Sequence, residues 1–254
     1  MAPGGTTGEG TSIAMRDRLA LPGVFARAGV ATGAPSAGDC VALTRSAVDA
    51  GYTNVLVLPP YYYKNVSDDG LYAYYANLVE KIGNAALRIY LYHFPQMSLT
   101  PLSTTLVRRL IAGFGPVIAG LKDSSGDFEQ SRAFVEATGG VEKDFDVFPS
   151  SEAMLWDGLA IGTAGIISGS TNAFGAHTQA ALRAPEGGAR DTAMARVRKA
   201  RAMAGKYPLV ACMKTIEAWR SGDDGWLRMT PPLVPLTEPQ KVSLRVDWTD
   251  LDHA

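Results

Sequence analysis

Short continuous runs of apolar residues recur along the chain as far as residue 170. They are rich in Val, Ile, Leu and aromatic residues and do not alternate with polar positions, a pattern typical of strands buried on both faces of a parallel sheet. The six runs lie at 28–34 (AGVATGA), 54–60 (NVLVLPP), 87–95 (LRIYLYHFP), 116–123 (PVIAGLKD), 145–150 (FDVFPS) and 164–170 (AGIISGS). We therefore predict six parallel strands.

Helical segments separate these runs. Ser36 and Ser67 are candidate N-caps of two of them, and Gly51 and Gly83 are the matching stop signals. A third helix is predicted to begin at Thr100, because proline follows at the first helical position. The alternation of strand and helix predicts βα units and an α/β fold.

The pattern changes in the last third of the chain. It becomes helical after residue 172, and the last 25 residues, which contain the proline-rich stretch 231–239, are predicted to form an irregular tail. Six βα units fit either an open doubly wound sheet or part of a (β/α)₈ barrel, and periodicity alone does not decide between them. We place the βα domain at 1–180 and the C-terminal helices and tail at 181–254.

Composition narrows the possible functions. The 254 residues are 46% hydrophobic and 19% charged, with a formal net charge of -1 and a pI of about 6.3. This excludes the basic footprint of a nucleic-acid-binding protein, and no apolar run approaches the roughly 20 residues that cross a bilayer. Two cysteines and three histidines have no metal-ligand spacing. We predict a cytoplasmic enzyme without metal, cofactor, nucleic-acid partner or membrane partner.

Two side chains stand where parallel strands end, which is where α/β barrels carry their catalytic groups. Lys122 ends the run PVIAGLK, and desolvation by its apolar neighbours would favour the neutral amine that attacks ketones. Tyr92 lies at the end of the strand predicted within IYLYHFP, and its hydroxyl there could move protons. Taken singly, each is also compatible with a structural role: a lysine that extends to solvent, or a core aromatic at the rim.

A glycine-rich turn and a tyrosine cluster are weaker signals. GGTTGEG at 4–10 offers backbone amides and two hydroxyls to an anion, and it lacks the lysine of a P-loop, so a carboxylate is the expected guest. Tyr61, Tyr62 and Tyr63 follow Pro59-Pro60 at the end of another strand. This cluster could equally be a rim or an interface.

Five motifs occur together in one order. They are GTTGE at 5–9, PPYYYK at 59–64, YLYHFP at 90–95, GLKDSSGD at 120–127 and GIISGSTN at 165–172. Over residues 5 to about 220 the chain resembles the pyruvate-type class I aldolases, the dihydrodipicolinate synthase/N-acetylneuraminate lyase family. The resemblance implies a TIM (β/α)₈ barrel with extra C-terminal helices, a pyruvate or 2-keto acid substrate, and a homotetramer or homodimer.

The resemblance also assigns roles to individual residues. Lys122 is the expected Schiff-base lysine and Tyr92 the expected proton-transfer tyrosine. The turn residues Thr6, Thr7 and Gly8 are expected to bind the keto-acid carboxylate, with Thr7 also in the proton relay. Tyr62 is expected to complete that relay across a dimer interface.

A further expected contact and two departures concern the substrates. The resemblance puts Ile167 beside the pyruvate unit. Met97 stands where dihydrodipicolinate synthases have an arginine that holds the second substrate's carboxylate, so condensation with aspartate semialdehyde is disfavoured. Ser150, Ser151 and Glu152 replace a glycine-acid-acid turn, which favours a hydroxylated partner and makes Ser150 a candidate binding residue.

The position of GTTGE within the chain is the third departure. Family members carry a longer segment before this motif, which supplies their first two strands. We therefore predict that the six runs correspond to strands 3 to 8 and that strands 1 and 2 are missing.

Three functions follow from these observations. The leading one is a lyase or aldolase that makes or cleaves a C–C bond to a pyruvate unit through an imine on Lys122. Dehydration of a 2-keto-3-deoxy sugar acid would use the same imine. A non-catalytic truncated barrel is the third.

Overall fold

The computed structural model describes residues 3–25 and 29–252, and within them the chain has an α/β fold built on one parallel sheet. The five strands follow each other in chain order across the sheet. They are β1 (Val30–Ala31), β2 (Asn54–Val57), β3 (Arg88–His93), β4 (Ile118–Asp123) and β5 (Asp146–Pro149). This confirms the predicted α/β class and the parallel pairing.

The helices lie between and after the strands. Up to β5 they are α1 (Met15–Val24), α2 (Ala37–Asp49), α3 (Asp68–Ile82), α4 (Pro95–Ser98), α5 (Thr104–Phe114) and α6 (Phe128–Thr138). After β5 they are α7 (Leu155–Ala160), α8 (Thr171–Arg183), α9 (Gly188–Ala204), α10 (Leu209–Ser221) and α11 (Glu238–Asp252). Short 3₁₀ turns occupy Thr6–Gly8, Gly115–Val117, Gly140–Lys143, Glu152–Met154 and Asp224–Leu227.

The prediction of a sixth strand at 164–170 is wrong for the described residues. Ala164 begins beside β5, where its N–H donates to the carbonyl of Val147 at 3.0 Å. Gly165 then has φ +140°, outside the range of regular strands, so the run leaves the sheet after one bond. The run has the apolar composition of a strand, but the backbone at Gly165 does not have the conformation of a strand.

Two of the predicted helix boundaries are confirmed by side-chain caps. The Ser36 hydroxyl accepts the N–H of Asp39, and the Ser67 hydroxyl accepts that of Gly70, both at 3.2 Å. Gly83 ends α3 in the left-handed conformation. These caps satisfy N–H groups that the first turn of a helix leaves without partners.

Two predicted boundaries are wrong. Helix α5 begins at Thr104 rather than at Thr100, because Ser103 is its cap and the Thr100 hydroxyl instead donates to the carbonyl of Pro60 at 3.1 Å. The tail is irregular only up to the start of α11. Pro239 is accommodated there because proline fits the first turn of a helix.

The described residues group into two compact units. The first contains residues up to Ser150 together with Asp157–Ile166, and the second contains Ser151–Trp156 and residues from Ile167 onward. The predicted division into 1–180 and 181–254 stays a prediction. In the described ranges no helix is both long and apolar enough to cross a membrane.

Each unit has its own core. In the first, the sheet packs against α2, α3, α5 and α6, and the largest fully buried side chains include Leu71, Tyr75, Leu106 and Phe134. In the second, helices α8 to α11 enclose a cluster that includes Phe174, Met203, Cys212, Ile216 and Leu244.

Candidate active site

The two faces of β3 and β4 differ in what they contact, since successive side chains of a strand point to opposite sides. On the outer face, Ile89, Leu91 and Leu121 join the core under the helices. On the inner face lie Tyr92 and Lys122, which are paired in the strand register. The register alone therefore brings the two predicted catalytic side chains together.

The Lys122 amine and the Tyr92 hydroxyl form a direct hydrogen bond. Lys122 Nζ donates to Tyr92 Oη at 3.1 Å and lies 4.2 Å from the centre of the tyrosine ring. Tyr92 is 4% exposed, and Phe94 stacks on its ring, so its hydroxyl has a defined position. These contacts hold an amine and a weak acid within one proton-transfer distance.

The glycine-rich turn adds a third group. Thr6 Oγ1 lies 3.2 Å from Tyr92 Oη, and because that oxygen accepts from Lys122, its own proton can be donated to Thr6. The turn reaches this point from the far side of β1, whose Ala31 N–H donates to the carbonyl of Pro3 at 2.9 Å. The turn therefore extends from beyond the edge strand β1 to the inner face of β3.

Close backbone packing shapes both the turn and the floor below Lys122. A Cβ on Gly10 would lie 1.8 Å from the carbonyl oxygen of Gly4, so the turn closes only with glycine there. Gly120, two residues before Lys122, leaves room for the ring of Tyr90, whose hydroxyl donates to Asp146 Oδ2 at 2.9 Å. Burial and the Asp146 carboxylate raise the pKa of Tyr90 to about 12.

For the other predicted site residues of the first unit, the structure gives burial and location. Thr7 is half-buried in the same turn as Thr6, and Gly8 is exposed there. Tyr62 is 74% exposed, and its ring meets that of Tyr63 edge-on. Ser150 is half-buried directly after β5. Their predicted roles stay predictions.

Ile167 and Glu152 belong to the second unit. Ile167 is half-buried in an irregular segment, and its predicted contact with pyruvate stays a prediction. Glu152 is 2% exposed and accepts the hydroxyl of Ser170 at 2.5 Å, while Arg201 lies 3.7 Å from its other oxygen. Sequence patterns did not indicate this buried polar cluster, because its members are far apart in the chain.

A second polar pair was also missed. His93 and Asp123 directly follow the two catalytic candidates, and both are buried on the outer face. Strand alternation would have placed them there, and the Asp-Ser-Ser sequence after β4 indicates a turn held by its own side chains. In the described ranges, no group of His, Cys, Asp or Glu is arranged to hold a metal ion.

Comparison with known proteins identifies the family of the chain. The model of the dihydrodipicolinate synthetase family matches residues 1–249. An uncharacterised DapA-like lyase from Chloroflexus aurantiacus is 32% identical over 252 residues, which cover 96% of this chain and 82% of that protein. The 4-hydroxy-tetrahydrodipicolinate synthase of Bacillus subtilis is 29% identical over 257 residues, with coverage of 97% and 85%.

A solved structure shares the fold. The crystal structure of dihydrodipicolinate synthase from Agrobacterium tumefaciens superimposes with a TM-score of 0.84 at 29% identity, covering 98% of this chain and 86% of that one. These matches indicate a lyase or aldolase with a barrel fold. The chain belongs to the dihydrodipicolinate synthetase family. The predicted absence of strands 1 and 2 stays a prediction.

Proposed function

We propose that the protein is a class I lyase that makes or cleaves a C–C bond to a pyruvate unit through a Schiff base on Lys122. The observation that supports this best is the hydrogen-bonded chain from Lys122 Nζ to Tyr92 Oη (3.1 Å) and on to Thr6 Oγ1 (3.2 Å). It provides a nucleophile, a proton-transfer group and a partner for that group on one face of the sheet. Family membership supports the same class.

The reaction follows from these positions. In the cleavage direction, the Lys122 amine attacks C2 of a 4-hydroxy-2-keto acid, and the carbinolamine loses its hydroxyl as water, with a proton supplied by Tyr92. The resulting iminium accepts the electrons of the C3–C4 bond when that bond breaks, while the C4 hydroxyl gives its proton to Tyr92. The reverse sequence forms the bond from pyruvate and an aldehyde.

The carboxylate of the keto acid is assigned to the turn that contains Thr6, Thr7 and Gly8. A carboxylate there would accept from backbone N–H groups and hydroxyls, which is how such turns bind anions. Thr6 contacts Tyr92, so a carboxylate on this turn would stand next to the carbonyl that Lys122 attacks. Ile167 is proposed to contact the methyl side of the pyruvate unit.

The second substrate is proposed to be a neutral, hydroxylated aldehyde. Met97 lies on α4, directly after the strand that carries Tyr92, and is 61% exposed. A thioether there offers no charge to a carboxylate, whereas an arginine would bind one through two hydrogen bonds. Ser150, at the end of β5, is the proposed hydroxyl contact for such an aldehyde.

Tyr62 is proposed to act in a homo-oligomer. Its ring is 74% exposed beside that of Tyr63, so within one chain its hydroxyl faces outwards. In a dimer built on this surface, Tyr62 would enter the proton relay of the partner subunit.

The Schiff base can be tested by trapping. Pyruvate with borohydride should add the mass of a reduced pyruvyl group to the peptide that contains Lys122. The substitution Lys122→Ala should abolish the adduct, and so should Lys122→Arg, since a guanidinium does not lose its proton in proteins. Lys81→Ala, which removes an exposed lysine, is the matched control and should leave the adduct in place. An adduct that persists in Lys122→Ala would overturn the mechanism.

The aldehyde class can be tested by comparing two co-substrates. With pyruvate, glyceraldehyde should be consumed faster than aspartate semialdehyde, and Met97→Arg should shift this preference toward the semialdehyde. The measurement is kcat/KM for each aldehyde in both proteins. Efficient use of aspartate semialdehyde by the unaltered protein would contradict the proposal.

A further inference from the structure

The residues that follow Tyr92 and Lys122 form a second pair behind the first. His93 and Asp123 are register partners on β3 and β4, and they face outwards where Tyr92 and Lys122 face inwards. His93 is 3% exposed and Asp123 is 2% exposed. Two ionisable side chains at such depth require hydrogen-bond partners.

The three hydrogen-bond partners come from the segments that follow the same strands. His93 Nδ1 accepts the N–H of Leu102 at 3.0 Å, which holds the segment between β3 and α5. Asp123 Oδ1 accepts the N–H of Ser125 at 2.9 Å, and Oδ2 accepts the hydroxyl of Ser131 on α6 at 2.6 Å. Each side chain therefore fixes the exit of its own strand.

The two strand ends are also joined to each other. The N–H of Ser124, directly after β4, donates to the carbonyl of His93 at 2.7 Å. The His93 ring meets Phe134 of α6 edge-on, and α6 also carries the serine that binds Asp123. If the end of β3 or of β4 moved, it would break hydrogen bonds or ring contacts that involve the end of the other strand.

The distance between the Lys122 amine and the Tyr92 hydroxyl depends on the positions of these strand ends. Tyr92 and Lys122 are on different strands, and their 3.1 Å hydrogen bond is set by where the backbone places each residue. A displacement of about 1 Å in a reacting group can cost on the order of 10²-fold in rate. The hydrogen bonds of the outer pair hold the two strand ends, and the outer pair itself faces away from the inner surface.

We propose that His93 and Asp123 are positioning residues that hold Tyr92 and Lys122 at proton-transfer distance. The proposal rests on the proposed Schiff-base function for its kinetic consequences. His93 acts as a neutral acceptor through Nδ1, and burial favours this form by lowering the pKa of His93. Asp123 acts as an acceptor on both oxygens.

The experiment compares two substitutions of His93. His93→Leu removes the acceptor for the Leu102 N–H and leaves that group unsatisfied, whereas His93→Asn keeps an acceptor, because the asparagine Oδ1 stands where Nδ1 stood. Ser131→Ala tests the other strand by removing one donor to Asp123. Tyr75→Phe is the control, since it deletes a buried hydrogen bond to Val57 elsewhere in the same core.

The expected pattern separates positioning from stability. His93→Leu should lower kcat by about 10- to 100-fold at nearly constant KM for pyruvate, while saturating pyruvate still labels Lys122 under borohydride. His93→Asn should restore most of the lost kcat, and Ser131→Ala should lower kcat several-fold. Tyr75→Phe should lower the melting temperature without a change in kcat.

Two outcomes would overturn the proposal. One is a folded His93→Leu with unchanged kcat, and the other is a loss that His93→Asn does not restore. If His93→Leu does not fold, Ser131→Ala decides by the same kcat criterion. Crystal structures of the folded variants give a readout independent of activity: the Lys122 Nζ to Tyr92 Oη separation should widen in His93→Leu and return in His93→Asn. The two failures can be told apart. If the positioning role is wrong, the separation does not change in His93→Leu. If the Schiff-base function is wrong, the unaltered protein forms no adduct with pyruvate and borohydride.

Discussion

The inner and outer faces of β3 and β4 use neighbouring residues for opposite purposes. On the inner face, Lys122 donates to Tyr92, and Tyr92 in turn bonds to Thr6, a residue of a separate turn. On the outer face, His93 and Asp123 accept hydrogen bonds from the loops that follow their own strands. The inner groups can exchange partners with a substrate, whereas the outer groups already have theirs inside the fold.

This difference separates residues with a proposed catalytic role from residues with a proposed structural role. A side chain that acts on substrate must keep hydrogen-bond donors or acceptors available for the substrate. A side chain that holds the backbone in place must have its donors and acceptors already bonded within the fold. The helices on the outer face exclude water from His93 and Asp123, while the inner face receives the turn that carries Thr6. Substitutions on the inner face should therefore change rates, and substitutions on the outer face should change both the stability and the precision of the inner pair.

The largest effect is expected on the inner face, from Tyr92→Phe. The change removes only a hydroxyl, so the ring and its stacking on Phe94 remain and the fold should be retained. Turnover should fall by about 10² to 10⁴, the usual contribution of one positioned acid–base group. Borohydride trapping of pyruvate on Lys122 should continue at saturating pyruvate. Equal losses of trapping and turnover would instead assign Tyr92 to binding or structure.

An intermediate effect is expected from the turn that completes the inner face. Gly10→Ala would place a Cβ 1.8 Å from the Gly4 carbonyl oxygen, so the turn must open and Thr6 must move away from Tyr92. We expect KM for pyruvate to rise and stability to fall by about 1–3 kcal/mol. The measurements are steady-state kinetics and chemical denaturation.

Gly23→Ala is the matched control for that substitution. A Cβ on Gly23 would meet no atom within 4 Å, and the residue lies inside α1. Alanine there should stabilise the protein by up to about 1 kcal/mol, because glycine costs more conformational entropy in a helix. If the two variants bind pyruvate equally well, the turn does not form the carboxylate site.

The inner face was largely predictable from sequence, and the outer face was not. Lys122 and Tyr92 stand at the ends of apolar runs, and register in a parallel sheet brings such ends together. The caps at Ser36 and Ser67 were predictable because capping depends on neighbours within one turn. Strand alternation would have placed His93 on the outer face, but its hydrogen-bond partner could not be predicted, because Leu102 bonds through the backbone and leaves no trace in residue type.

The errors have a similar cause. The run at 164–170 has the composition of a strand, but whether it joins a ladder depends on the φ of Gly165, which glycine leaves open. Helix α5 begins after Thr100 because the Thr100 hydroxyl finds the Pro60 carbonyl of another loop. In both places the local sequence favours one structure, but a contact or a backbone conformation that depends on the complete fold produces another.

The smallest expected effect is a pH dependence of stability from the outer face. Burial lowers the pKa of His93 below its ordinary value of 6.5, and the Asp123 carboxylate opposes that shift without reversing it. Below about pH 6.5 the unfolded chain therefore binds a proton that the folded protein does not bind until lower pH. The free energy of unfolding should fall as the pH drops through this range, by at most about 1.4 kcal/mol per pH unit for one proton.

His93→Asn isolates this contribution, since asparagine keeps the acceptor for the Leu102 N–H but binds no proton. Chemical denaturation between about pH 5 and pH 8 should give a shallower acid decline for His93→Asn than for the unaltered protein, with the two curves running parallel above pH 7. Tyr75→Phe should instead shift the whole curve downward in parallel, because it deletes the bond to Val57 without changing the proton balance in that range. An identical acid slope in the unaltered protein and in His93→Asn would mean that His93 takes up its proton in the folded state as readily as in the unfolded chain. The outer face would then tolerate a charged imidazole, and the contrast between the two faces would rest on hydrogen bonds alone.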